Sequence, residues 1–194
     1  IDCQGCLWYW NNDLLKRSGF RKVRLQHGQT WQHQFRQVSC GTFHNVALDY
    51  EGYIWTWGNN YSGQLGVGHM KPQKRPVKLV DRKFVAISCG AYHTVAIDDD
   101  GGSLWTCGNN DYGQLGHNDQ PRCLDQPHNL VSFQKIKVDQ KFMVISCSCN
   151  HTTAIDNQGN IWVCGHNNHG QLGLGPISEI HSLTRVVSPV INQK

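Results

Sequence analysis

GNNYSGQLG fills residues 58–66, GNNDYGQLG residues 108–116 and GHNNHGQLG residues 165–173. One glycine-rich loop of this kind would suggest an anion cradle, because glycine lets backbone amides approach a phosphate. A phosphate loop, however, closes on Lys followed by Ser or Thr, and here Gly66, Gly116 and Gly173 are followed by Val67, His117 and Leu174. A dinucleotide loop occurs once, between a strand and an amphipathic helix; these copies lead into Pro, Gln, Lys and short apolar runs. Recurrence is the stronger signal, and a period of roughly 20–50 residues marks a repeat architecture.

Extended outward, the copies read VSCGTFHNVALDYEGYIWTWGNNYSGQLG from Val38 to Gly66, ISCGAYHTVAIDDDGGSLWTCGNNDYGQLG from Ile87 to Gly116, and ISCSCNHTTAIDNQGNIWVCGHNNHGQLG from Ile145 to Gly173. A degenerate copy, IDCQGCLWYWNND, opens the chain in step with LDYEGYIWTWGNN from Leu48. Trp8, Trp55, Trp105 and Trp162 fall in register at spacings of 47, 50 and 57 residues. Within a unit, Phe84 to Ser88 is apolar, His93 to Asp98 alternates with Val95 and Ile97 on one face, and Leu104 to Cys107 makes a third short strand. Asp49 to Gly52 and Asp156 to Gly159 are hairpin turns, in which Asp accepts backbone amides and Gly takes positive φ. Runs such as PVKLV at 76–80 supply a fourth strand.

Units of about fifty residues with three or four antiparallel strands are propeller blades, which stack radially and bury a core between neighbours. The fold class is therefore all-β: β-propeller blades of about four antiparallel strands, three complete repeats plus partial ones, in a fragment of a larger propeller. Residues 1–194 form a single propeller segment. Residues 1–37 hold a partial degenerate repeat with a basic linker, 38–86, 87–144 and 145–183 hold full repeats, and 184–194 start the next blade. Gln64, Gln114 and Gln171 are expected to bond backbone at each GQLG corner, with Leu65, Leu115 and Leu172 plugging the seams. An open arc of blades exposes unpaired edges and apolar flanks. Ring closure by the rest of a longer parent sequence is expected first, then closure by another chain or a capping partner.

Charged residues make up 16% of the chain, with 20 Gly and 7 Trp, a profile that favours a turn-rich, aromatic-rich β protein over a helical one. No apolar run is long enough for a membrane span, and no basic start leads into a signal-like stretch. Of nine cysteines, Cys40, Cys89 and Cys147 share one repeat position, and Cys107 and Cys164 share another, where earlier copies carry Trp10 and Trp57. A residue that alternates with Trp is an apolar filler. Reduced thiols and an intracellular protein, nuclear or cytoplasmic, are therefore expected. Cys3 and Cys6 form a C-x-x-C without a second pair, so no zinc, other metal or cofactor is expected.

His44, His93 and His151 are repeat-locked, which argues for buried rings bridging backbone groups within a blade rather than a triplicated catalytic base. Asp49, Asp98 and Asp156 hold turns by the same logic. Glu51 and Asp100 lack a paired carboxylate in a defined cleft, which leaves hydrolase chemistry unsupported. The in-register tryptophans are core. Basic residues lie outside the consensus: Lys16, Arg17, Arg21, Lys22 and Arg24, then Lys71, Lys74, Arg75, Lys78, Arg82 and Lys83, then Lys135, Lys137 and Lys141. On a common rim they would form an arc that meets an acidic protein surface or nucleic-acid phosphates. At a net charge of +4 an ordinary solvated surface competes with that reading. Aromatics interleave too sparsely there for base stacking.

SCG-x-x-H-x-x-A-[IL]-D, G-x-[IL]-W-x-x-G and GQLG-x-G together resemble the repeat of the regulator of chromosome condensation family, whose members form seven-bladed propellers. The resemblance covers three whole repeats and a partial one. It implies an interaction scaffold that binds a partner through rim loops. The founding member promotes nucleotide exchange on the small GTPase Ran and binds histones and DNA. Exchange on a Ran-like or other small GTPase is thus an alternative expectation, and chromatin or DNA attachment through the basic segments a second. Exchange in that family resides in loops protruding from one face, and no stretch here matches them, so no exchange residue is assigned.

Overall fold

The structure, a computed structural model, describes residues 8–11, 19–22, 34–118 and 129–187, the first two segments by backbone alone. A two-stranded antiparallel sheet, β1 (Trp8–Asn11) with β2 (Gly19–Lys22), precedes three four-stranded antiparallel sheets. The first blade is β3 (Phe35–Cys40), β4 (His44–Asp49), β5 (Ile54–Gly58) and β6 (Gln73–Lys78). The second is β7 (Phe84–Cys89), β8 (His93–Asp98), β9 (Leu104–Gly108) and β10 (Leu130–Lys135), and the third β11 (Phe142–Ser148), β12 (His151–Asp156), β13 (Ile161–His166) and β14 (Glu179–Arg185). Strand order equals chain order in every sheet, as successive hairpins dictate. The sheets begin three residues ahead of the repeat phase read from sequence. Thr184 and Arg185, which the sequence reading gives to a next blade, pair instead in the outer strand of the third.

The core lies between blades. Along β4, Val46 and Leu48 project toward the second blade and join Ile54, Phe84, Ile87, Cys89 and Ala96 in one cluster, while Ala47 turns to the other flank with Phe35 and Trp55. This follows from the two-residue period of a strand buried on both faces. The next seam repeats the plan with Val95, Ile97 and Leu104 against Phe142, Ala154, Cys164 and Leu183. Each of these fully buried aliphatic side chains contributes about 1.5–3 kcal/mol.

One register feature recurs in all four units. Trp8 lies opposite Lys22, Trp55 opposite Lys78, Trp105 opposite Lys135 and Trp162 opposite Arg185. The β1–β2 pair is therefore the outer half of a blade, equivalent to β5–β6. Lys22 and Lys78 are accordingly repeat positions, paired with a tryptophan across the ladder, and not additions outside the repeat.

Candidate functional site

The GQLG corners are closed by side chains. Asn60 Oδ1 accepts the Leu65 amide at 3.0 Å, and Asn110 and Asn167 do the same for Leu115 and Leu172. Gln64 Oε1 accepts the Ser62 amide at 2.9 Å while its Nε2 donates to Asn59 Oδ1 at 3.0 Å. Gln114 repeats both bonds, and Gln171 repeats the first but pairs its amide with His166 Nδ1. Gly63 has φ 77°, and a Cβ there would lie 2.7 Å from the Leu130 carbonyl of the next blade. The corner thus needs glycine for conformation and for close approach together. Gln64 and Gln114 are fully buried, whereas Gln171 is exposed.

The histidines do not bridge backbone groups within their own blade, as the repeat context predicts; they join one blade to the next. His44 Nε2 meets Thr94 Oγ1 at 3.0 Å, and His93 Nε2 meets Thr152 Oγ1 at 3.0 Å. Each hydroxyl donates to a corner carbonyl, Thr94 to Gln64 at 2.7 Å and Thr152 to Gln114 at 2.8 Å. The hydroxyl proton being spent, the ring must donate from Nε2, which leaves Nδ1 as a buried unprotonated nitrogen without a partner. Burial pushes His44 down to about 4 and His93 down to about 3, neighbouring His44 and His151 adding to the latter. These rings stay neutral and sealed, the opposite of a general base poised near neutrality. His151 is only half-buried, and no hydroxyl of a following blade faces it among the described residues.

The buried cysteines among the described residues supply no nucleophile either. Burial pushes Cys89 up to about 12 and Cys147 up to about 11, and raises Cys107 and Cys164 as well. A reactive thiol is shifted downward. Cys107 and Cys164 instead donate to the same corner carbonyls, Gln64 at 3.6 Å and Gln114 at 3.4 Å. The tryptophans are tied to the turn aspartates, Trp55 to Asp49 and Trp105 to Asp98 at 2.9 Å, Trp162 to Asp156 at 2.8 Å. No side-chain placement is described for Trp8.

The candidate basic arc divides. Lys16, Arg17 and Arg24 lie outside the described residues, and Arg21 and Lys22 are placed by backbone alone. Lys78 is committed to its own blade: its Nζ lies 3.5 Å from Asp49, 3.2 Å from Glu51 and 4.2 Å from the Tyr53 ring centroid. Lys71, Lys74 and Arg75 are exposed. Lys74, Arg75 and Pro76 occupy the outer edge strand β6, where charge and proline block pairing with a foreign strand. Their strand runs from Gln73, opposite Gly58 at the corner end, to Lys78, opposite Trp55. Lys78→Ala is expected to cost about 1–2 kcal/mol in urea unfolding, because it removes the cation facing the buried Asp49 carboxylate, which keeps only its bonds from Tyr53 and Trp55, while Lys74→Ala and Arg75→Ala stay within about 0.5 kcal/mol.

The residues that do gather are ones the repeat pattern passes over. At the corner end of the blades, Phe43 (62% exposed) and Tyr92 (37%) hold the same repeat position and meet at 6.4 Å between ring centroids. The Asn59 amide bonds the Phe43 carbonyl and the Asn109 amide the Tyr92 carbonyl, which sets the corner loops beside these rings. Those loops add Tyr61, 70% exposed, and Tyr112, whose ring packs edge-on to His166 at 4.9 Å. The opposite end carries the exposed Tyr50 among charges, Glu51, Lys83, Asp99 and Asp100. A signal was present in sequence: position 43 reads Phe, then Tyr92, then Asn150, between locked neighbours, and a position free to vary inside a rigid repeat faces solvent. On the outer seam of the first and second blades an open cleft of about 350 Å³ has Trp105, Phe133, Phe84 and Leu79 as its apolar lining, and Asp81 and Arg82 as its charged members. Arg82 is stacked 4.1 Å over Trp105.

Profiles of the family described as "Regulator of chromosome condensation (RCC1) repeat" match residues 51–97 and 101–155, and a second profile of the same description matches 35–64 and 84–114. The chain is 33% identical over 179 residues to the ultraviolet-B receptor UVR8 of Arabidopsis thaliana, covering 90% of this chain and 39% of that protein. It is 36% identical over 146 residues to the probable E3 ubiquitin-protein ligase HERC4 of Homo sapiens, covering 72% of this chain and 13% of that one. Among solved structures, Prp20p from Saccharomyces cerevisiae superposes with a TM-score of 0.74 at 21% identity, covering 89% of this chain and 41% of that chain. Human WBSCR16 gives 0.72 at 20%, covering 89% and 44%. The chain thus spans less than half the length of these relatives. With the profile match, the recurrent blade and these likenesses in hand, the chain belongs to the regulator of chromosome condensation repeat family.

Proposed function

We propose that this chain is the partner-binding part of a protein-interaction scaffold, and that it engages a protein through the corner end of its blades, with Phe43, Tyr92 and Tyr61 as anchors. The observation that carries the reading is the pair of touching, solvent-facing rings at one repeat position of adjacent blades. Large aromatics supply the anchor residues of protein interfaces and gain most when a partner excludes water from them. Apart from their contact with each other across the first two blades, both rings keep a solvent-facing surface that a partner can cover. That Prp20p is described by its binding to Gsp1p and histones is in keeping with a protein partner. The buried thiols and sealed histidines support binding over catalysis.

Quantitative affinity purification of the full-length polypeptide from its source cells, followed by direct binding measurement with the recovered partner, tests this. The double variant Phe43→Ala/Tyr92→Ala is expected to weaken binding about 10–100-fold with an unchanged melting temperature, whereas Tyr50→Ala at the other end leaves it intact. Equal binding by both variants rejects the assignment. A fluorescent-nucleotide release assay on small GTPases forms the second arm. Acceleration lost in the Phe43/Tyr92 variant would make exchange the activity of this same face.

A further inference from the structure

The hairpin turn of the second blade, we infer, is a site of spontaneous backbone isomerisation. Asp100 closes a cyclic imide on the Gly101 nitrogen and reopens as isoaspartate, the residue that S-adenosylmethionine-dependent isoaspartyl methyltransferases take as substrate. The inference is independent of the aromatic end and of any partner bound there.

Each of the three blades has a hairpin that opens on a repeat aspartate and closes on a repeat glycine, and one of the three is longer. Two residues separate Asp49 from Gly52 and Asp156 from Gly159, whereas three separate Asp98 from Gly102. In the short turns the closing glycine amide donates to the opening aspartate carbonyl, Gly52 to Asp49 and Gly159 to Asp156, both at 3.1 Å. The long turn keeps the base of this arrangement. Asp98 Oδ1 accepts the Ser103 amide at 2.8 Å, its Oδ2 accepts the Trp105 indole at 2.9 Å, and the Asp98 amide bonds the Ser103 carbonyl at 3.0 Å. Gly102 also grips the next blade as Gly52 does: its carbonyl accepts the Phe142 amide at 2.7 Å, as that of Gly52 accepts the Phe84 amide. The extra residue is therefore taken up at the tip. There, among the described residues, no group bonds the Gly101 or Gly102 amide or the Asp100 carboxylate, so the closing bond of the short turns is missing. Asp99, Asp100 and Gly101 are exposed, and a Cβ on Gly101 would meet nothing within 4 Å, while one on Gly102 would lie 2.9 Å from the Phe142 carbonyl.

Asp100–Gly101 is the one Asp–Gly pair in the chain, and no Asn–Gly pair occurs. The Gly101 nitrogen attacks Cγ of Asp100; the N–Cγ bond forms, and one carboxyl oxygen leaves as water with the amide proton and the carboxyl proton. Water then adds to the former α-carbonyl carbon, the bond from that carbon to nitrogen breaks, and the main chain runs on through Cγ with the α-carboxyl set free. Only water leaves and enters, so mass is unchanged. Attack needs an amide that serves no acceptor and a chain that can turn Cγ behind the nitrogen, which a side chain on the following residue hinders and glycine permits. A loop tip with its base held and its crown unbonded has that freedom. Asp111 and Asp156 lack it: Tyr112 and Asn157 follow them, and their carboxylates accept bonds from Asn109 and from Asn160 and Trp162. The atom added to the main chain falls outside the Asp98–Ser103 and Gly102–Phe142 bonds, so the isomerised protein keeps its seam.

Ageing of the full-length polypeptide at pH 7 tests this, read by methyl transfer from labelled S-adenosylmethionine with purified isoaspartyl methyltransferase and by peptide mapping. Isoaspartate is expected at position 100, forming at a rate within about tenfold of that in a free peptide of residues 96–105. A slower rate than that, or isoaspartate gathering at another position of this segment of the chain, would overturn the inference. Asp100→Glu, which enlarges the ring to be closed, should abolish the signal and leave the melting temperature unchanged; a signal that persists at that position overturns it too. Deletion of Gly101 separates structure from sequence, because it keeps an Asp–Gly pair yet restores the short turn and its closing bond. Isomerisation in the folded deletion variant should then fall at least about tenfold below that of its matching peptide. An undiminished rate would show that the unbonded amide is not what exposes Asp100, and the structural basis would fail.

Discussion

Gly90→Ala is expected to destabilise the protein by about 1–3 kcal/mol, although the added methyl breaks no rule of backbone conformation, since Gly90 is absent from the glycines with positive φ. The difficulty is space. A Cβ at Gly90 would overlap Cε1 and Nδ1 of the His93 ring and come 2.5 Å from the Ser148 carbonyl in the third blade. Two escapes exist, and both are costly. Rotating His93 breaks its 3.0 Å bond to Thr152 and strands a fully buried polar ring, which costs about 1–3 kcal/mol. Moving the third blade away opens the cluster of Val95, Ile97, Leu104, Phe142 and Ala154, at about 1–3 kcal/mol for an overpacked site. Urea unfolding at pH 7, read as a shift in midpoint at constant slope, measures the cost of the cheaper escape. A loss below about 1 kcal/mol would mean that the ring is not held against this glycine.

The same glycine shows what the sequence could and could not convey. The recurrence of Ser-Cys-Gly-x-x-His announced a rigid local structure, and the blade was legible because every unit writes the same strands, the same Asp-x-x-Gly turn and the same corner. What could not be read was the address of each bond. A histidine fifty residues from its threonine carries no local mark of that partner, because the pairing exists only once two blades are stacked. The sequence context points within the blade, while the structure runs His44 to Thr94 across the seam. The role of Lys78 was hidden for a related reason. Composition registers charge but not the ladder, and it is the ladder that sets Lys78 opposite Trp55 and within reach of Asp49. Phe43 and Tyr92 escaped notice because aromatic residues in a β protein are normally core. Only their exposure, and the variation to Asn150 at the third position, separates them from Phe35 and Phe84, which are buried.

Acid should destabilise the protein well before its carboxylates protonate. His44 and His93 are held down to about 4 and about 3 by burial, against an ordinary value of 6.5. The folded state therefore binds fewer protons than the unfolded chain throughout the window between those values. Stability rises with pH wherever the unfolded state binds more protons, so the contribution of the two neutral rings is fully present above about pH 6.5 and is lost as pH falls toward their folded values. With both rings counted, the slope in this window is at most about 2.7 kcal/mol per pH unit. The geometry explains why neither ring escapes by protonating in place. The second proton would go to Nδ1, which is buried without an acceptor, and Nε2–H is already committed to a threonine whose own proton serves a corner carbonyl. Below about pH 4 a further loss sets in from Asp156. Burial pushes that carboxyl upward, but the bonds from Asn160, Trp162 and the backbone outweigh it and hold the group down to about 2, so this contribution disappears as pH falls from its unfolded value through 2. Urea midpoints at constant ionic strength from pH 7.5 to 4 measure the histidine window directly. His93→Gln should lower stability at pH 7.5 yet flatten the pH dependence by about one proton, because it removes one of the two sinks from the unfolded chain. A variant that is weaker at pH 7.5 but keeps the full slope would show that His93 already carries a second proton, on Nδ1, in the fold, and the reading of a neutral, sealed ring would fail.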